Sequence, residues 1–201
     1  MQNRPREALR YLEAAISEDP AHVRAFLYLG IVYLQIDRVD DAITTYSNIL
    51  PRGGAETGRI AFNLGNAHFI RGDPASARRY FTQAIEINPS FAPAHLNRAN
   101  ALIRTGDLAE AVADYRAYLS LDPASPQRDA ILRLIAFIEE EFAAEEQRRI
   151  AAEEFARAEA ERRRLLLQEV SDSIHAVVEG SQGLSVGIGS VQDFDAEFEL
   201  E

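Results

Sequence analysis

The chain has no cysteine, no tryptophan and no lysine, so all 21 of its basic side chains are arginine. Without cysteine there is no disulfide, no thiolate metal site and no cysteine nucleophile. Without lysine a Walker phosphate loop is impossible. No apolar run approaches the roughly 18 residues that a membrane-spanning helix needs. Proline is missing beyond Pro126, and glycine is missing between Gly106 and Gly180, so a long central stretch carries neither helix breaker. Bases are outnumbered, 21 against 32 acids, for a net charge of −11. A generic phosphate-backbone binder would need the opposite balance, so nucleic acid is not an expected partner.

Charge and punctuation divide the 201 residues at the same places. Residues 1–125 hold 13 arginines and 14 acids, residues 126–178 hold 8 and 12, and residues 179–201 hold six acids and no base. The acidity therefore belongs to the C-terminal part.

The first part is internally repetitive. Ala8, Ala42, Ala77 and Ala111 recur at spacings of 34, 35 and 34 residues. Four residues after each stands Leu12, Tyr46, Phe81 or Tyr115. Leu29-Gly30 and Leu64-Gly65 precede Ala42 and Ala77 by a fixed interval, with Arg98-Ala99 in the matching place before Ala111. Each unit reads as two amphipathic helices, because Phe26, Leu29, Gly30 and Tyr33 follow the i, i+3, i+4, i+7 spacing. A small residue in the middle lets the second helix approach closely. Asp73-Pro74 reads as an N-cap with proline at the first helical position. Asp107 and Glu110 have the capping-box spacing. Asp19-Pro20, Asn88-Pro89 and Asp122-Pro123 end second helices, whereas Pro51-Arg52-Gly53-Gly54 predicts a looser turn.

This pattern resembles the tetratricopeptide repeat (TPR) family over residues 1 to about 125. The fold it implies is all-α: a right-handed helix-pair solenoid over 1–125, then a long helix over 126–178, then an extended acidic tail over 179–201. Full repeats are expected at about 23–56, 58–91 and 92–125. Residues 4–22 look like the second helix of an earlier repeat, from which a longer natural protein is expected, since a solenoid unit cannot bury its apolar face alone.

The resemblance further implies a concave surface lined by the first helix of each repeat. The positions expected on it include Arg24, Leu27 and Tyr28, then Arg59, Phe62, Asn63 and Asn66, then Asn97, Asn100 and Arg104. Asn63 matches Asn97 in register, and Asn66 matches Asn100. A column of amides carries donors and acceptors together and can bond to an extended peptide backbone whatever its side chains. The alternative is that these amides are solvated or bond to the neighbouring repeat. The three arginines favour an acidic ligand. The carboxylate clamp of chaperone-binding relatives needs lysines, so specific recognition of a chaperone C-terminus is not expected.

From Ser125-Pro126, read as N-cap and N1, Ile131, Leu134, Ile135, Ile138 and Phe142 keep one apolar face that suits a capping helix. Beyond it Glu145–Arg149, Glu153–Arg157 and Glu159–Arg163 have the favourable i, i+4 order. Apolar content returns at Leu165, Leu166, Leu167, Val170, Ile174, Val177 and Val178. An unbroken helix over 126–178 would be about 80 Å long. Its apolar end must fold back through a break or meet a second chain, so homo-oligomerisation through the helix or tail is expected. Arg162-Arg163-Arg164 sits among glutamates and reads as a solvated helix face.

After the glycines, Asp193-Phe194-Asp195-Ala196-Glu197-Phe198-Glu199-Leu200-Glu201 alternates acidic with apolar residues. This segment is a disordered solubilising tail, or an extended ligand that docks Phe194, Phe198 and Leu200 in a groove of its own chain, of a neighbouring copy or of another protein, or a strand added to some sheet edge. His22, His68, His95 and His175 lack metal-ligand spacing, and no nucleophile motif is present, so neither metal, cofactor nor catalysis is expected. The function expected is a protein-interaction scaffold, with an oligomerisation module or a small-molecule or lipid cavity as alternatives. The sequence leaves the compartment open, with the cytoplasm slightly favoured over the periplasm, which suits a chain whose leader was removed.

Overall fold

A computed structural model describes residues 5–182. The acidic segment with Phe194, Phe198 and Leu200 lies outside the described residues. Eight α-helices follow in order: α1 (Pro5–Glu18), α2 (Val23–Gln35), α3 (Val39–Ile49), α4 (Thr57–Ile70), α5 (Pro74–Ile87), α6 (Ala92–Thr105), α7 (Leu108–Leu121) and α8 (Arg128–Gln182). The chain divides into two compact units, Met1–Glu141 and Phe142–Glu201.

In the first unit α2–α3, α4–α5 and α6–α7 are the three helix pairs that the repeat spacing predicts, and α1 packs on α2 as a second helix without its own first. The repeated alanines Ala42, Ala77 and Ala111 are fully buried. So are Tyr46 and Phe81, while Tyr115 keeps 3% of its surface. Burial pushes the Tyr46 and Tyr115 hydroxyls up from the usual tyrosine range. Gly65 gives the Phe81 ring room to reach α4: a Cβ there would lie 2.6 Å from ring carbon Cε1. The start of α8 closes the stack, with Ile131, Ile135 and Ile138 buried against Ala99, Leu102, Tyr115 and Tyr118.

Local signals are realised with four corrections. Asp73 caps α5, accepting from the Ser76 N–H at 3.0 Å, with Pro74 in the first turn. Asp107 precedes α7 but makes no side-chain cap; its carboxylate accepts instead from Arg78 at 2.8 Å and from Thr105 at 2.6 Å. A charge-assisted bond to arginine outcompetes a neutral N–H. The Pro51-Arg52-Gly53-Gly54 turn is not loose: it winds into two consecutive 3₁₀ turns, Leu50–Arg52 and Gly54–Glu56. The last helix starts at Arg128, two residues after Pro126, and Ser125 Oγ accepts from the Gln127 N–H at 3.2 Å. Leu27, expected on the open face, is 1% exposed and sits in the core with Tyr46 and Ile60.

In the second unit α8 continues without a break through Gly180. A glycine costs a helix interior only about 1 kcal/mol, too little to stop so long a run. Arg149 pairs with Glu146 at 2.6 Å and with Glu153 at 2.5 Å, and Arg164 with Glu161 at 3.4 Å. The Glu145–Arg149 pair expected from spacing gives way to Glu146, one residue nearer. No helix among the described residues is long and apolar enough to cross a membrane.

Candidate functional site

The first helices of the repeats, α2, α4 and α6, lie side by side, α4 touching both others. Three side-chain contacts bind them across the repeat boundaries, and all three use residues that the sequence places on the open face.

Between α2 and α4, Glu56 receives Arg24 Nε at 2.9 Å and Arg59 Nη1 at 3.2 Å. Both arginines remain well exposed, whereas Glu56 is 12% exposed. One carboxylate thus serves two guanidiniums and leaves a positive excess at this edge. Glu56 carries no repeat signal that would mark it in the sequence.

Between α4 and α6, Asn97 Nδ2 donates to Asn66 Oδ1 at 2.7 Å. This is the neighbouring-repeat alternative for those two amides. It consumes one donor and one acceptor and leaves the Asn66 N–H₂ group and the Asn97 carbonyl oxygen with capacity to spare. Asn100 Oδ1 accepts from the Tyr115 hydroxyl at 2.7 Å, which ties it to α7. The half-buried Asn63 amide has no hydrogen-bond partner among the described residues.

The third contact is apolar and cationic. The Arg104 guanidinium lies over the Phe69 ring, 4.3 Å from its centroid, a favourable cation–π geometry. No acidic side chain pairs with Arg104 among the described residues. Phe62 is turned into the boundary between repeats, 4.8 Å from Phe91 and 5.8 Å from Phe81 between ring centroids. Tyr28 is half exposed on α2.

Behind this face lies a buried ionic cluster. Asp114 accepts two bonds from Arg98, at 2.6 and 2.7 Å, and approaches His95 Nδ1 at 3.0 Å. His95 Nε2 faces the Pro89 carbonyl at 3.0 Å. The carboxylate beside it holds the Arg98 guanidinium above the ordinary arginine value. The cluster is structural in geometry, since its polar atoms face one another. Among the described residues no group of three or more His, Asp or Glu is arranged to hold a metal ion.

Two sequence profiles, both described as tetratricopeptide repeat, match residues 1–59 and 62–126. The chain belongs to the tetratricopeptide repeat family. A curated relative, Protein SGT1 homolog from Oryza sativa subsp. japonica, is 41% identical over 58 residues, which is 29% of this chain and 16% of that protein. The chain thus spans about a sixth of the length of that relative. Among solved structures, this TPR chain is similar to the first TPR of Spaghetti (RPAP3) bound to HSP90 peptide SRMEEVD, with TM-score 0.54, 22% identity, and coverage of 60% of this chain and 93% of the other. It is also similar to MamA, with TM-score 0.58, 21% identity, and coverage of 65% and 71%. These likenesses establish the TPR fold.

Proposed function

We propose that the face formed by α2, α4 and α6 binds an extended, acidic segment of protein, and that the chain is a non-enzymatic interaction scaffold. The observation that carries this reading is Arg104, seated on Phe69 without an acidic partner among the described residues, seven residues along α6 from Asn97, whose amide and that of Asn66 keep open edges. The amides suit the ligand's backbone. Arg104, with the partly neutralised Arg24 and Arg59, suits its carboxylates, and Tyr28 offers an apolar contact. A related TPR fold holds a short peptide that contains two glutamates and an aspartate. With no lysine in this chain, side-chain carboxylates rather than a terminal carboxylate are the expected determinant.

The chain's own C-terminal segment has the required chemistry, with Phe194, Phe198 and Leu200 set between acids. In this reading 1–125 is the receptor, 126–178 the spacer and assembly element, and 179–201 a ligand that competes in cis or in trans. Assembly of copies through the helix is favoured by the exposed apolar residues at its C-terminal end.

Calorimetric titration of a peptide spanning 190–201 into the chain lacking those residues tests the receptor reading. Saturable binding that weakens at least tenfold in Arg104→Ala is expected. Binding that is absent, or equal in Arg104→Ala, overturns it.

A further inference from the structure

The first helices of the repeats are one-signed. α2, α4 and α6 contain no acidic residue, and Arg24, Arg59, Arg98 and Arg104 are their only charged side chains apart from histidine. Arg98 is turned to Asp114 on α7. The other three gather at two separate points. At one, Glu56 takes Arg24 Nε and Arg59 Nη1 and leaves the remaining guanidinium N–H groups with donor capacity. At the other, Arg104 lies over Phe69.

The ground between the two points is neutral and polar. On α4, Arg59, Asn63, Asn66 and Ile70 stand at spacings of 4, 3 and 4. At 100° per residue they fall within about a sixth of the helix circumference, so they form one line. The line starts on the cation, passes the Asn63 amide and the free edge of Asn66, and ends on Ile70, which is 57% exposed. Ile70 stands in register with Arg104, 34 residues on.

We propose that this face selects an extended segment that carries two carboxylate side chains four residues apart, one held by Arg24 and Arg59 and the other by Arg104. The inference rests on the acidic-segment reading above and specifies the spacing and conformation of the ligand. Ten residues of α4 separate Arg59 from Phe69, a rise of about 15 Å. In an extended chain, at about 3.3 Å per residue, positions i and i+4 lie about 13 Å apart and point to the same side. The flexible side chains at both ends close the difference. Acids two positions apart span only about 7 Å and reach one point at a time. In a helical ligand, positions i and i+4 come within about 6 Å of each other, so that conformation fails as well. The amides sit where the backbone between the two acids needs hydrogen bonds on leaving water. A third carboxylate at i+2 would stand over these neutral amides, without a cation. Spacing, beyond total charge, is therefore what the face reads.

Capped peptides of alternating serine and alanine, with two glutamates set either two or four positions apart, test this. Both carry the same charge and composition, and each is titrated calorimetrically into the full chain. Competition from the chain's own tail lowers both affinities alike and leaves their ratio unchanged. The peptide with glutamates four apart is expected to bind at least tenfold more tightly. Arg104→Ala, which breaks no ion pair among the described residues, is expected to bring the two peptides within about twofold while helical circular dichroism stays the same. Equal binding of both peptides, or tighter binding of the closely spaced one, overturns the spacing rule and leaves the acidic-segment reading standing. A preference that survives Arg104→Ala overturns the placement of the second carboxylate and the rule with it. Failure of both peptides to bind overturns the acidic-segment reading too.

Discussion

Asn97 donates its side-chain N–H to Asn66 across the boundary between two repeats, at 2.7 Å. The bond makes the amide column part of the scaffold and fixes which edges remain open. Asn97→Ala removes a bond between half-buried groups and should cost about 0.5–1.5 kcal/mol of stability. If the remaining amide edges contact a peptide backbone, the same variant should also weaken binding of the 190–201 peptide. Asn63→Ala, which breaks no bond to a described residue, should weaken binding at nearly unchanged stability. Urea denaturation and calorimetry on both variants separate the two effects.

Close approach of the paired helices depends on two glycines. A Cβ on Gly30 would lie 2.3 Å from Tyr46 Cζ, and one on Gly65 would lie 2.6 Å from Phe81 Cε1. Tyr46 and Phe81 are fully buried, so neither ring can swing into solvent. Gly30→Ala and Gly65→Ala should each destabilise by about 1–3 kcal/mol through overpacking, despite alanine's better helix propensity. Thermal unfolding measures this; an unchanged or higher midpoint in both would show that the rings have room to shift.

Acid should weaken the second repeat first at its turn. His68 is 7% exposed, stacked on Tyr80 with ring centroids 5.2 Å apart. Burial, aided by the nearby Arg71 and Arg79 charges, lowers its protonation range, although Asp73 acts in the opposite sense. A histidine lowered in the folded state contributes stability that is present above its unfolded value and is lost as pH falls through the folded one. Asp73 is held down to about 2, first by the Ser76 backbone N–H. Its contribution is present above about 4 and is lost toward pH 2. Stability should therefore drop below about pH 6.5 and again below about pH 4. His68→Leu, which copies Leu102 at the matching position of the next repeat, should remove the first decline and leave the second. Thermal midpoints between pH 7 and 3 report both.

Much of the architecture is legible because a repeat states its core several times. Ala42, Ala77 and Ala111 announce the close helix contact, and the glycines beside Tyr46 and Phe81 announce its partners. The turn between paired helices is equally plain in retrospect: Gly72 and Gly106 take left-handed φ values of 84° and 86°, and Asp37 holds the same position in the first repeat at 61°. What a local window does not reveal is competition from distant residues. Arg78 takes the Asp107 carboxylate from 29 residues away. Glu56 collects Arg24 and Arg59, which alone read as free cations. Phe62 turns into a repeat boundary because Phe81 and Phe91 come from two other helices.

The third repeat departs from its siblings in a compensated way, and the compensation can be tested. Leu29 with Thr45, Leu64 with Tyr80 and Arg98 with Asp114 occupy matching positions, each pair 16 apart. An arginine in the leucine position is intelligible only because an aspartate arrived opposite it. The Asp114 side chain is 6% exposed and that of Arg98 is 23% exposed. Asp114→Ala strands Arg98 and leaves His95 without its carboxylate, so it should cost about 3–5 kcal/mol. Arg98→Leu combined with Asp114→Thr restores the pairing of the first repeat and removes both charges together. The double variant should therefore recover more than half of that loss, with His95 keeping its contact to the Pro89 carbonyl. A double-mutant cycle in urea measures the coupling. If the two changes simply add, the pair is not a unit, and Arg98 must be sustained by its bond to Thr82 and by solvent instead.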